Sequence, residues 1–360
     1  DPNSITSEQA AAYAARKKES SNRNARKASE SARDIGKPPA VVNPIRREAG
    51  EASLRFFLLT YFPQSFLLEF SDDHERLIRE LEEKVRDGGL KALSFPRGSG
   101  KTTICIRAAI WGLLCGYRKF IALIGASGEA AKELLAEIKV ELETNELLLE
   151  DFPEACFPIR KLEGITQRGK GQLIEGKHTN IGWKGTQIVL PTVDGSKCSG
   201  SILKVSGILG RVRGMKFVTT DGESLRPDAV IVDDPQTDQS AKSENQCAQR
   251  ERVISGAILG LAGPGKTIAA MMPCTVIRKG DVADRLLDRN LHPLWNGERC
   301  RLVYQWPTNQ KHWDHYAELR LLDLARGDDK LKSCTDYYRK NRKEMDEGSR
   351  VGWPARYEKH

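Results

Sequence analysis

The sequence predicts an α/β protein: a mainly parallel sheet flanked by helices, with an added antiparallel hairpin region and a helical lid. Three observations carry this. Short apolar runs alternate with longer amphipathic runs over 90–143, the strand, helix, strand, helix order that builds a parallel sheet with helices on its faces. The texture changes over 164–220 to glycine-rich alternating stretches, and over 311–346 it becomes helical and polar. With 360 residues, 39% apolar and 29% charged, the chain can bury a sizeable core, which excludes miniproteins, fibres and wholesale disorder.

Residues 1–35 are rich in Ala, Ser, Lys, Arg and Glu and nearly empty of large apolar side chains. Such a segment buries too little surface to offset ordering entropy, so a disordered or transiently helical arm is expected. Pro38, Pro39 and Pro44 then make an extended linker, because each residue before a proline is pushed from the helical region. The folded body is expected from Glu51, giving an arm and linker at 1–50, a main domain at 51–305 and a lid and linker at 306–360. The formal charge is +8, and half of it lies in the first fifty residues, which hold ten basic and six acidic side chains. A basic arm on a nearly balanced body favours a polyanionic partner, with nucleic acid the first candidate.

Within the body, 90–95 and Phe120–Gly125 are strand-like, and 102–117 and 129–143 are helical. Over 164–220 the runs 187–190 and 201–205 are expected as antiparallel hairpins appended to the sheet. The βα pattern resumes with Ala229–Val232, then 267–272, then 301–304. Eight cysteines occur singly, without CxxC or paired histidine spacing, so a zinc site is not expected and a reduced, intracellular protein is. The longest apolar stretch, 104–117, is too short to span a bilayer and contains Arg107, and the N-terminus lacks the apolar core of a secretory signal.

Two segments resemble phosphate-binding loops. Gly260-Leu-Ala-Gly-Pro-Gly265-Lys266-Thr267 matches GxxxxGK[ST] letter for letter, whereas Phe95-Pro96-Arg97-Gly98-Ser99-Gly100-Lys101-Thr102-Thr103 lacks the first glycine. The chemistry requires a buried strand, a glycine turn whose N–H groups face the anion, and a helix whose positive N-terminus adds to the site. Only the second segment has that setting. It points to a P-loop NTPase of the RecA-like (ASCE) type with ATP and Mg²⁺ as cofactors. Gly98 and Gly100 let the backbone approach, Lys101 reaches the β and γ phosphates, and the Thr102 hydroxyl binds Mg²⁺. Ala229–Val232 followed by Asp233-Asp234-Pro235 supplies carboxylates at a strand tip, where open α/β sheets place ligands. Asp233 is assigned to Mg²⁺ through water and Asp234 to orienting and deprotonating the lytic water.

The ordered set of motifs resembles the ATPase domain of the tailed-phage terminase large subunit, the DNA-packaging motor. Pro96-Arg-Gly-Ser-Gly-Lys-Thr102 is similar to that family's arginine-containing loop, and Gly210-Arg211-Val-Arg213-Gly214 to its Arg-Gly signature. Asp228 to Pro235 is similar to its acidic strand. Pro273-Cys-Thr275 with Asp281-Val-Ala-Asp-Arg-Leu-Leu287 resembles its coupling motif. The resemblance covers about 55–357. It implies that Thr275 senses loss of the γ-phosphate, that Arg97 is the sensor arginine within the subunit, and that Arg213 reaches a neighbour's nucleotide, with Arg211 and Arg226 as competitors. His74 falls where related motors recognise adenine. Cys274 departs from the small glycine usual beside the coupling threonine.

The function implied is ATP hydrolysis coupled to translocation of double-stranded DNA into a procapsid by a homo-oligomeric ring. The implied partners are the portal protein and the small terminase subunit, and the implied location is the host cytoplasm and, transiently, the viral procapsid. The chain stops at His360, near where that family's nuclease would begin, so an ATPase fragment without nuclease activity is expected. Two other readings are a helicase-type ATPase acting on single strands and a nucleotide-switched DNA-binding scaffold without turnover.

Overall fold

The structure, a computed structural model, describes residues 33–219, 222–263 and 268–357. Most of the basic arm, residues 1–32, therefore lies outside the described residues, as do Lys266 and Thr267.

An eight-stranded sheet organises the chain. In chain order its strands are β1 Gly89–Ser94, β2 Phe120–Gly125, β3 Gly182–Lys184, β4 Gln187–Val189, β5 Ile202–Gly207, β6 Ala229–Val232, β7 Ala269–Cys274 and β8 Glu298–Arg299. Their order in space is β8-β1-β7-β6-β2-β5-β4-β3. The first six in that order run parallel, and β4 and β3 close one edge antiparallel. The protein is thus α/β, with a large, mostly parallel sheet.

The central parallel strands β2, β6 and β7 are apolar on both faces, as strands covered on both sides must be. Ile121, Leu123, Ala229 and Ile231 enter one core cluster, while Phe120, Ala122, Ile124, Val230 and Val232 enter the other. The first cluster is roofed by α1 Pro44–Ala52, α2 Leu54–Tyr61, α3 Asp72–Asp87, α4 Lys101–Leu114, α5 Gly128–Thr144, α6 Glu146–Asp151 and α7 Pro153–Arg160. The second is covered by α8 Asp238–Ala241, α9 Glu244–Arg252 with the π-helical turn Val253–Ile258, and α10 Val282–Leu286. Helix α4 is buried nearly all round, with Trp111 fully buried in its last turn. Its Arg107 is held by Glu137 at 3.3 Å and Glu141 at 2.8 Å, both on α5.

Four differences from the sequence expectation have physical causes. The body starts before Glu51: Asn43 caps α1, and Arg46 places two guanidinium nitrogens on the buried Asp151, at 2.6 and 2.9 Å. Tyr61 donates to the same carboxylate at 2.7 Å. Helix α4 ends at Leu114, not at 117, because Gly116 turns into the left-handed region at φ 75°. Strand β5 pairs antiparallel with β4 but parallel with β2, so it belongs to the main sheet and is not merely part of an appended hairpin. Residues 301–304 do not continue the sheet. Its edge is β8, and Val303–Gln305 pairs instead with Arg350–Val351.

That antiparallel pair closes the base of a helical hairpin, α11 Gln310–Ala325 and α12 Lys332–Met345. Asp323 accepts from the Cys334 amide at 3.0 Å and Trp313 donates to the Met345 carbonyl at 2.7 Å, joining the two helices. The chain then returns to the sheet through α13 Pro354–Tyr357. All eight cysteines are buried and free. Among the described residues no helix is long and apolar enough to cross a membrane.

Candidate functional site

Strand β1 ends at Ser94 and α4 begins at Lys101, so the turn between them lies at the carboxyl edge of the parallel strands. Gly98 and Gly100 sit at φ 71° and 79°, the left-handed region glycine adopts without steric cost. Three successive carbonyls of this turn face protein donors. Gly98 accepts from Arg356 at 2.7 Å, Ser99 from His74 at 2.7 Å, and Gly100 from the Ile104 amide at 3.1 Å. Among the described residues, the amides of Gly98 through Thr102 donate to no acceptor. Carbonyls turned outward and amides left free at a helix N-terminus form a cradle for an anion.

His74 is part of that scaffold. Its Nδ1 accepts from the Ser71 amide at 3.1 Å and lies 2.8 Å from the Ser71 hydroxyl, which assigns the proton to Nε2, the nitrogen facing Ser99. The ring packs between Phe95 and Trp353, and its burial lowers the pKa, which favours the neutral form. Both ring nitrogens are engaged within the protein, and the side chain props the loop.

Strand β6 ends at Val232 and delivers Asp233 and Asp234 to the same edge. Strand β7 intervenes between β1 and β6. Two inter-strand steps, about 9–10 Å in all, thus separate the loop's strand from the carboxylates' strand. Lys101 and Thr102 bridge this gap. Thr102 Oγ1 donates to Asp233 Oδ1 at 2.9 Å and Oδ2 at 3.0 Å, and Lys101 Nζ meets Asp234 Oδ2 at 2.6 Å. Thr275, just past the tip of β7, stands 3.5 Å from Asp234 Oδ2. Asp234 itself lies at φ 39°, and its Oδ1 is buried without a partner among the described residues.

Burial pushes the Asp233 carboxyl up to about 6, and the neighbouring Asp234 charge adds to this, while Lys101 and Thr102 pull it down. A cation placed there relieves both causes. No cluster of three or more His, Cys, Asp or Glu side chains exists among the described residues to cage a metal with protein ligands alone. Magnesium held largely by phosphate oxygens and water needs only one or two protein oxygens, and Thr102 with Asp233 fits that requirement.

The remaining sequence candidates are spread around this centre. Pro96 and Arg97 line a cleft of about 590 Å³ with Thr275, Lys242 and Asp238, and the exposed Arg97 pairs with Asp238 at the start of α8. Thr103 is half-buried in the first turn of α4. Arg211 and Arg213 are exposed on the loop following β5 and form no hydrogen bond or ion pair among the described residues, so they are not joined to the cluster. Arg226 is exposed beside Gly263. The other glycine-rich segment, 260–267, of which 264–267 lie outside the described residues, comes just before strand β7 in the chain.

Two residues that sequence reasoning missed complete the site. Gln236 is buried; its Nε2 donates to the Thr275 carbonyl at 3.1 Å and its Oε1 accepts from the Val282 amide at 3.0 Å, tying both strand tips to α10. Its place two residues after Asp234 was the available signal. Arg356 lies 258 residues beyond Gly98 and had no local signal at all.

No protein-family model matches this chain, and the search of curated proteins returns no match.

Proposed function

We propose that the protein is the ATPase motor domain of a terminase large subunit, a P-loop NTPase of RecA-like type that couples hydrolysis to translocation of duplex DNA. One observation carries the reading: five free amides, Lys101, Thr102, Asp233, Asp234 and Thr275 converge at one sheet edge. Phosphoryl transfer asks for positioning and charge stabilisation more than covalent chemistry, and this set supplies both.

The loop amides and Lys101 hold the β and γ phosphates. Thr102 and Asp233 hold Mg²⁺, which when bound neutralises charge on the phosphate oxygens. Lys101 exchanges Asp234 for phosphate as the nucleotide enters, which frees Asp234 to orient water and take its proton. Arg97 leaves Asp238 to reach the γ-phosphate, and Arg213 of a neighbouring copy completes the site in a ring. Thr275, fixed through Gln236 to α10, passes loss of phosphate to the DNA-gripping surface. The portal protein and small subunit are the partners this reading brings, and DNA is held through its phosphates in a salt-sensitive way.

The scaffold reading is favoured by one feature, the Lys101–Asp234 ion pair, since a base held by a cation takes no proton. ATP turnover with and without linear duplex decides. The parent and Lys266→Ala are expected to hydrolyse ATP, and Lys101→Ala and Asp234→Ala are not. Binding without phosphate release favours the scaffold, preference for single strands favours a helicase, and loss only in Lys266→Ala rejects the chosen loop.

A further inference from the structure

The C-terminal return of the chain does more than end the helical hairpin. Trp353 packs against His74, with ring centroids 4.6 Å apart, and donates its indole N–H to the Glu69 carbonyl at 2.8 Å. One turn on, the Arg356 guanidinium lies over the loop between β1 and α4. Its Nη1 is 2.7 Å from the Gly98 carbonyl and 3.4 Å from that of Arg97, and a Cβ at Gly98 would stand 3.2 Å from the guanidinium nitrogens. The planar fork is flanked by the rings of Trp353 and Tyr357.

A peptide unit points its N–H and C=O in opposite directions, so a cradle that offers amides to an anion must dispose of the matching carbonyls. The Ser99 carbonyl is disposed of by His74 and the Gly100 carbonyl by α4 itself. The Gly98 carbonyl has neither, and at the most permissive residue of the turn its peptide would otherwise be free to flip.

We propose that Arg356 is a positioning residue for this loop: it pins the Gly98 carbonyl outward, and so makes the cradle's geometry depend on the seating of the helical hairpin. Seating is set by the Val303–Gln305 and Arg350–Val351 pairing. It is also set at Gly352, whose amide donates to the Leu302 carbonyl at 2.9 Å and where a Cβ would run into the Arg301 carbonyl. A shift of the hairpin withdraws the guanidinium and releases the loop. This inference rests on the nucleotide-site reading, but it concerns the loop's shape and not the hydrolysis step.

The test is calorimetric binding of magnesium pyrophosphate to the full chain, in the parent, Arg356→Gln, Arg356→Lys and Arg339→Gln. The last alters an exposed arginine on α12 that faces Asp336, away from the loop and from the strand pairing. Losing a charge-assisted hydrogen bond to the loop is expected to weaken binding about tenfold or more in Arg356→Gln. Arg356→Lys should recover part of the loss, because one ammonium reaches one carbonyl without the fork. Arg339→Gln should bind within about twofold of the parent, and all four proteins should share one thermal midpoint to within about 2 °C, since both altered contacts are partly exposed. Parent-like affinity in Arg356→Gln, or no pyrophosphate binding by the parent, overturns the proposal. Arg356-dependent binding in a parent that never turns over ATP leaves the proposal standing and rejects the ATPase reading.

Discussion

Thr102 and Asp233 meet across the width of an intervening strand, the threonine hydroxyl donating to both carboxylate oxygens at 2.9 and 3.0 Å. The bond joins the first turn of α4 to the tip of β6. It spans β7, so the two chemically distinct halves of the site are locked at the separation a phosphate and a cation would fill.

Asp233 sits there at a cost. Its carboxyl titrates near 6, above the ordinary value of about 4. The folded, ligand-free protein therefore holds this proton where the unfolded chain has lost it, and stability from this group falls as pH rises from about 4 to about 6. Asp233→Asn is expected to stabilise the ligand-free protein by roughly 1–3 kcal/mol at pH 8, with the gain gone below pH 4. It should also abolish magnesium-dependent turnover. Urea unfolding at the two pH values checks the first part, and an Asn variant less stable at pH 8 contradicts it.

His74 titrates in the opposite sense. Its pKa is lowered by burial, so the unfolded chain takes up protons first, and the group's stabilisation is complete above about 6.5 and lost as pH falls. In His74→Gln the amide still reaches back to the Ser71 N–H, as in a capping box, but it leaves the Ser99 carbonyl without its donor. We expect a loss of about 1 kcal/mol or less in stability and a nucleotide affinity that no longer drops between pH 7 and pH 5.5. Titrations of a fluorescent nucleotide at both pH values read this directly.

Gln236 is expected to separate binding from turnover. Gln236→Leu strands the Thr275 carbonyl and the Val282 amide, which costs about 1–3 kcal/mol. Nucleotide affinity should stay within a few-fold while DNA-stimulated hydrolysis falls about tenfold or more, a barrier rise of about 1.4 kcal/mol. Gln236→Glu, which keeps the acceptor and loses the donor, should fall between. Equal losses of affinity and turnover would assign Gln236 to the binding step.

Arg213 is exposed and forms no hydrogen bond or ion pair among the described residues. If it acts on a neighbour, Arg213→Ala and Asp234→Ala are each inactive alone, yet a mixture contains interfaces where an intact arginine faces an intact aspartate. Mixed one to one, the two should recover roughly a quarter of parental turnover, as transition-state arginines supplied between subunits require. No recovery in a mixture shown by sizing to co-assemble removes Arg213 from that role.

The parallel core was legible because its strands are buried on both faces. Phe120–Gly125 and Ala229–Val232 carry unbroken apolar runs that mark their own ends. What could not be read was partnership. Alternation shows that 202–207 is a strand, but not that one neighbour is parallel and the other antiparallel. The two-residue edge strand at Glu298–Arg299 is too short to leave a periodic trace. In the site, Asp233 and Asp234 could be placed because they directly follow a strand, and Lys101 and Thr102 because they open a helix after a strand and a glycine turn. His74 and Arg356 act through backbone carbonyls of the loop, 25 and 258 residues away in sequence, and such contacts leave no mark on local residue patterns.

The distance along the chain between Gly98 and Arg356 also orders events during synthesis. At about 5–20 residues per second, the ribosome makes the arginine roughly 10–50 seconds after the glycine. Through that interval the nascent polypeptide carries the turn without its outer brace. Translation that halts between Asp234 and Arg356 therefore yields a product that carries the loop and both aspartates but no latch to hold them ready.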